Sequence, residues 1–132
     1  MSVTADTNVL ARAATGDDPV QSAVARAELA AADLVAITLP TLCELVWVMS
    51  HGYKMNSAKI SSSIKGLLDT TNVVVNTSAV EAGLAFLDAG GDFADGVIAY
   101  EGSVLGGQTF VSFDRRAVKL VTAQGGRARL LS

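Results

Sequence analysis

Cysteine and histidine are almost absent: the 132 residues hold one of each, Cys43 and His51. A single cysteine cannot make an internal disulfide, which fits a reducing, cytoplasmic setting. Two soft ligands are too few for a zinc site. A Ser-His-Asp or Cys-His device would have to use His51, and no Gly-x-Ser-x-Gly elbow accompanies it. Cys43 and His51 therefore read as a core and a surface residue. Charge is also sparse, at 17% of residues, while half are hydrophobic. That balance fits an α/β domain whose parallel strands are covered on both faces. Repeats, low-complexity segments and long linkers are lacking. So is an interleaved basic-aromatic stripe of the kind that stacks single-stranded bases; Trp47, Phe86, Phe93, Phe110 and Phe113 are expected in the core.

The one long apolar stretch, Leu34–Ser50, carries Glu44 near its middle together with Thr38, Pro40 and Thr41. An acid at a bilayer centre costs about 2.5–3.5 kcal/mol, so a buried strand followed by a buried helix is expected and a membrane span is not. The N-terminus lacks a basic start, an apolar core and a small-residue cleavage site, and no export signal is expected. The net charge of −3 and pI near 4.9 argue against a nucleic-acid binder. That argument weakens if several acids face a divalent cation, which cancels charge where a phosphate would sit.

The length suits a single domain, residues 1–132. Val3–Asp6 is expected as a strand and Thr7–Ala14 as a short helix ending at Thr15-Gly16. Asp17-Asp18-Pro19 starts a helix, with acids capping it and proline early in it. Apolar spacing at Val20, Ala23, Val24, Ala27 and Ala31 continues that helix. Leu34–Ile37 is a second strand. Leu39 to about Ser50 is a helix, apolar almost all round and so expected to be buried. Asn56 caps a further helix, with Ile60, Ile64, Leu67 and Leu68 on one face. Val73–Val75 is a strand, Ser78–Asp88 a helix, and Asp92 opens another that reaches about Leu105. Thr109–Phe113 is a strand, Asp114–Ala123 a helix, and Ala128–Leu131 a short last strand. Strands alternating with helices imply a parallel sheet with crossovers. Ligands of such sheets bind outside the carboxyl ends of the strands.

Four acids stand out in that order. Asp6 and Asp114 close apolar strands, Asp95 sits at the start of an apolar helix, and Glu44 is the only charge between Asp33 and His51. Few Lys or Arg lie near them in sequence, and a buried carboxylate needs a partner, a proton or a metal. A shared cluster on one rim would suit a hard divalent cation. Asp6, Asp92 and Asp114 can each also be plain helix caps, and Asp92/Asp95 has capping-box spacing. Glu44 lies inside its helix and has no capping role; its alternative is a narrow solvent-facing stripe or a distant Arg partner. Arg115 and Arg116 follow Asp114, where cations oppose the helix dipole, and a phosphate backbone is one reason to place them there. Arg12, one turn beyond Asn8, is a third candidate for substrate contact. All three also read as solvated surface residues. Lys54, Lys59 and Lys65 can line a groove or solvate a helix pair.

Four segments, Asp6-Thr7-Asn8-Val9-Leu10-Ala11-Arg12, Leu42-Cys43-Glu44-Leu45-Val46-Trp47-Val48, Asp92-Phe93-Ala94-Asp95-Gly96-Val97-Ile98-Ala99 and Thr109-Phe110-Val111-Ser112-Phe113-Asp114-Arg115, give the chain a nearly end-to-end resemblance. It resembles the PIN-domain ribonucleases, most closely the VapC-type toxins of type II toxin–antitoxin pairs. The resemblance implies a three-layer α/β fold with a central, mostly parallel sheet of four to five strands flanked by helices. It places the family's acids on Asp6, Glu44, Asp95 and Asp114, its small polar residue on Asn8 and its hydroxyl residue on Ser112, where Thr is commoner. Gly96 stands where Ala is more usual, and Asp92 is an extra acid of one subgroup. The implied activity is Mg²⁺- or Mn²⁺-dependent endoribonuclease, with RNA as substrate, a homodimer, and a small VapB-type antitoxin whose C-terminal tail blocks the site. Asp6, Asp95 and Asp114 would be the main metal ligands. Glu44 would bind a second metal or orient water, and Asn8 and Ser112 would position the carboxylates. Two rivals are a metal-dependent α/β phosphatase and a non-catalytic PIN-fold module binding RNA or protein. Haloacid-type phosphatases want an Asp two places after the first, where this chain has Asn8.

Overall fold

The computed structural model describes all residues from Met1 to Ser132. It is an α/β structure with seven α-helices, one π-helical turn and five short strands. The backbone divides into two compact units, Met1–Asn76 and Thr77–Ser132, and every strand pairing within them is parallel.

In the first unit, β1 (Ser2–Thr4), β2 (Leu34–Ala36) and β3 (Val73–Val74) form a sheet in the order β1-β2-β3. Parallel neighbours need helical crossovers. The first is supplied by α1 (Thr7–Thr15) and α2 (Pro19–Ala31), the second by α3 (Leu39–Trp47), the π turn (Val48–Gly52) and α4 (Ser57–Leu68). Local chemistry sets the boundaries. Gly16 ends α1 in the left-handed region, φ 68°, which only glycine adopts without cost. Asp18 caps α2 with Pro19 behind it, and the Asn56 side chain accepts the Lys59 N–H at 2.9 Å. The Asn72 amide donates to the carbonyls of Leu29 and Ala32 at 2.9 and 3.0 Å, tying the start of β3 to the end of α2. The core centres on Val35, Leu10, Leu42, Leu45, Met49 and Ile64, all fully buried.

The apolar spacing that continues α2 is not its buried face, and α3 is less buried than expected. In α2 the buried residues are Ser22 and Ala25, while Val20 and Val24 are 75% and 65% exposed and Ala23, Ala27 and Ala31 lie outside with them. In α3 only Leu42, Leu45 and Val46 are buried. The helix is apolar all round but covered on one side, so Glu44 and Trp47 face solvent.

In the second unit, β4 (Phe110–Ser112) pairs with β5 (Ala128–Leu130) across α7 (Arg115–Ala123). Before them, α5 (Thr77–Asp88) and α6 (Phe93–Val104) pack as a helical hairpin. Its core holds Phe86 and Phe93. The two helices touch backbone to backbone: a Cβ on Gly96 would lie 2.5 Å from the Ala82 carbonyl oxygen, and one on Gly83 would lie 2.6 Å from the Phe93 ring. Phe113, expected in the core, is 74% exposed in the turn between β4 and α7, and Phe110 is only half-buried. No helix is long and apolar enough to cross a membrane.

Candidate carboxylate sites

The acids singled out in the sequence fall into two sets, one in each unit. In the first unit, Asp6 stands two residues past the end of β1 and caps α1, its Oδ1 accepting the Thr7 N–H at 2.8 Å. Glu44 projects from α3, the helix after β2, whose start is capped by Thr38. Because β1 and β2 are parallel neighbours, both strand-to-helix junctions lie at the carboxyl edge of the sheet, where open α/β sheets bind ligands. Asn8 is exposed on the first turn of α1.

In the second unit, Asp92 caps α6 by accepting the Ala94 N–H at 3.2 Å, and Asp95 occupies the first turn of the same helix. Asp114 stands two residues past β4 and caps α7, its Oδ1 accepting from Arg116 and Ala117 at 2.9 and 3.2 Å. Ser112 accepts the Asp114 N–H at 2.9 Å. Its hydroxyl thus fixes the backbone turn that carries Asp114, where a bond to the carboxylate itself was expected. Asp95 is the partly buried member. Burial first, then the negative charges of Asp92 and Asp114, raises its pKa above the usual carboxylate range. That combination marks functional-site candidates.

The premise that all four acids are buried does not hold. Asp6, Glu44 and Asp114 are exposed, and a solvated carboxylate carries no desolvation cost that demands a partner. No set of three or more carboxylate, imidazole or thiol groups gathers into a ready metal cage. Yet none of the five acids has a salt bridge; the chain's two ion pairs join the N-terminal amine to Asp33 and Arg12 to Asp17. The donor chemistry suits Mg²⁺ or Mn²⁺, hard cations that take carboxylate oxygens. A bound divalent charge would also relieve the repulsion felt at Asp95.

The basic candidates behave differently from one another. Arg12 donates Nη1 to both Asp17 oxygens at 3.0 and 2.9 Å and Nε to Gln21 at 2.8 Å, so its guanidinium braces the α1–α2 corner. Arg116 donates to the Gly90 carbonyl at 2.7 Å and holds the turn before α6. Arg115 is exposed on the first turn of α7 without an ion pair, and of the three it alone is uncommitted.

One surface residue escaped the sequence reading. Trp47 was expected in the core, and its indole is 60% exposed. The available signal was spacing: Trp47 lies three residues after Glu44, so a helix that turns Glu44 to solvent turns Trp47 with it. No protein-family model matches the chain, and no curated protein is significantly similar to it.

Proposed function

We propose that the chain is a Mg²⁺- or Mn²⁺-dependent endoribonuclease of PIN type, acting in the cytoplasm as the toxin of a VapBC-type pair. The observation that carries the reading is Asp95: a partly buried carboxylate whose pKa is raised first by burial and then by the charges of Asp92 and Asp114, with no salt bridge to any of the three. Support also comes from Asp6, two residues past β1, and from Glu44, exposed on the helix that follows the neighbouring parallel strand. The proposal includes the finer fold that the resemblance implies, a central sheet of four to five strands. It includes the homodimer and a VapB-type antitoxin. These assignments rest on the sequence resemblance.

Asp6, Asp95 and Asp114 would hold the metal, with Asp92 as an auxiliary carboxylate. When bound, the metal supplies a water of lowered pKa and offsets charge on the phosphate. Glu44, exposed and unpaired, accepts a hydrogen bond from the attacking water and orients it. The water oxygen bonds to phosphorus, the P–O3′ bond breaks, and the 3′ oxygen leaves with a proton. The products are a 5′-phosphate and a 3′-hydroxyl. Ser112 holds the Asp114 turn, and Arg115, exposed at the start of α7, would meet a phosphate.

The capping bonds of Asp6, Asp92 and Asp114 favour a second reading, a PIN-fold module that binds RNA or protein without cutting. Incubating antitoxin-free protein with mixed RNA in Mg²⁺, Mn²⁺ or chelator separates the two. The nuclease reading expects cleavage that is lost on chelation and falls at least about 100-fold in Asp95→Asn, on the order of a lost electrostatic contact to the reacting group. Intact RNA under every metal condition would falsify it.

A further inference from the structure

We propose that Trp47, stacked on His51, is a platform for one base of a single-stranded RNA beside Glu44. The identity of the ligand rests on the ribonuclease reading above. Trp47 is the only tryptophan in the chain. Its ring lies against the His51 imidazole with centroids 4.7 Å apart and planes 18° from parallel. The His51 ring is held in turn, its Nδ1 3.1 Å from the Trp47 carbonyl oxygen. Residues 47 and 51 are four apart and so neighbours on a helical surface; the π turn Val48–Gly52 follows Trp47, and such turns are frequent at functional sites.

A lone exposed aromatic needs no explanation. A pre-stacked pair on the face that carries a candidate catalytic acid does. Glu44, Trp47 and His51 are exposed, whereas Leu45, Val46 and Met49 between them are buried, so the three share one outward strip. At about 1.5 Å of rise per residue, Trp47 is roughly 4.5 Å along the axis from Glu44. His51 covers part of the indole and restrains its rotamer, which lowers the ordering cost of a third ring. Unstacked bases of single-stranded RNA are bound in this way, and every base offers a π-face whatever its sequence. The chain's net charge of −3 provides no general attraction to RNA. Stacking does not depend on it.

The test titrates full-length protein with a fluorescently labelled oligoadenylate in chelator, following both Trp47 emission and the label's anisotropy. The platform predicts saturable quenching that tracks the anisotropy. Trp47→Ala should weaken binding about tenfold, within the range for one base–aromatic stack, and Trp47→Phe should recover most of it. With metal, Trp47→Ala should raise KM about tenfold and leave kcat nearly unchanged. The melting temperature should stay close to wild type, because the indole is not core. Oligoadenylate binding without quenching, or equal affinity in Trp47→Ala, overturns the platform. So does emission that shifts with protein concentration and ignores RNA, which would assign Trp47 to contact between copies of the chain. Metal-dependent cleavage with an unchanged KM in Trp47→Ala removes the platform and leaves the nuclease. Saturable quenching in wild type with anisotropy-detected binding that weakens in Trp47→Ala, in a protein that never cleaves, keeps the platform and removes the nuclease.

Discussion

At the scale of the residue, Arg12 shows how a candidate contact becomes a structural one. Its charge is spent on Asp17, which also accepts the Tyr53 hydroxyl at 2.9 Å. Hydrogen bonds from Tyr53 first, and also from Thr15 and Arg12, hold the Asp17 carboxyl below its ordinary range, against a smaller opposing effect of burial. A depressed folded-state pKa contributes stability above the unfolded value, near 3.9, and loses it as pH falls through the folded value. Tyr53→Phe should therefore melt below wild type at pH 6, and the gap should close as the pH falls through the lowered folded-state pKa of Asp17. A gap independent of pH would show that the tyrosine acts by packing alone. Asp17 lies close to Arg12 in sequence, but Tyr53 is 41 residues away, and that part of the network has no local signature.

At the scale of the element, boundaries were more legible than faces. The caps Asp18, Asn56 and Gly16 mark helix ends by chemistry that acts within a few residues, and the structure places them as expected. Faces depend on what packs opposite. α2 is rich in alanine and offers two apolar stripes, one with Val20 and Val24 and one with Ala25 and Leu29, and packing selected the second. α3 has apolar residues on every side, so periodicity could not choose among them. The π turn after it has no sequence mark. Gly96, where Ala was the commoner expectation, has a physical reason: α5 and α6 cross too closely for a side chain. In an open helix Gly→Ala stabilises by up to about 1 kcal/mol. Here the obstacle is backbone, which cannot swing aside. Gly96→Ala should cost about 1–3 kcal/mol as overpacking does, read from denaturant unfolding, and should lower activity by displacing Asp95. Equal or higher stability would mean the helices have room to part.

At the scale of the whole molecule, the central claim is that exposed and half-buried carboxylates at the strand ends serve a divalent cation. The sequence picked out the residues, because acids in apolar surroundings are conspicuous. Their burial was not legible, since four of the five proved exposed; the capping roles of Asp6, Asp92 and Asp114 were, because each stands just before a helix. Capping and metal binding can be told apart, since Asn caps about as well as Asp but brings no charge. The most direct measurement is thermal melting of the full chain in chelator and in saturating Mg²⁺ or Mn²⁺. A site filled at one hundred times its dissociation constant adds about 2.7 kcal/mol, or roughly 10 °C for a domain of this size. The account predicts that rise in wild type and a much smaller one in Asp6→Asn and Asp95→Asn. It also predicts that Asp95→Asn melts higher than wild type in chelator, because a repelled charge is gone. Superimposable wild-type curves with and without either metal would contradict it.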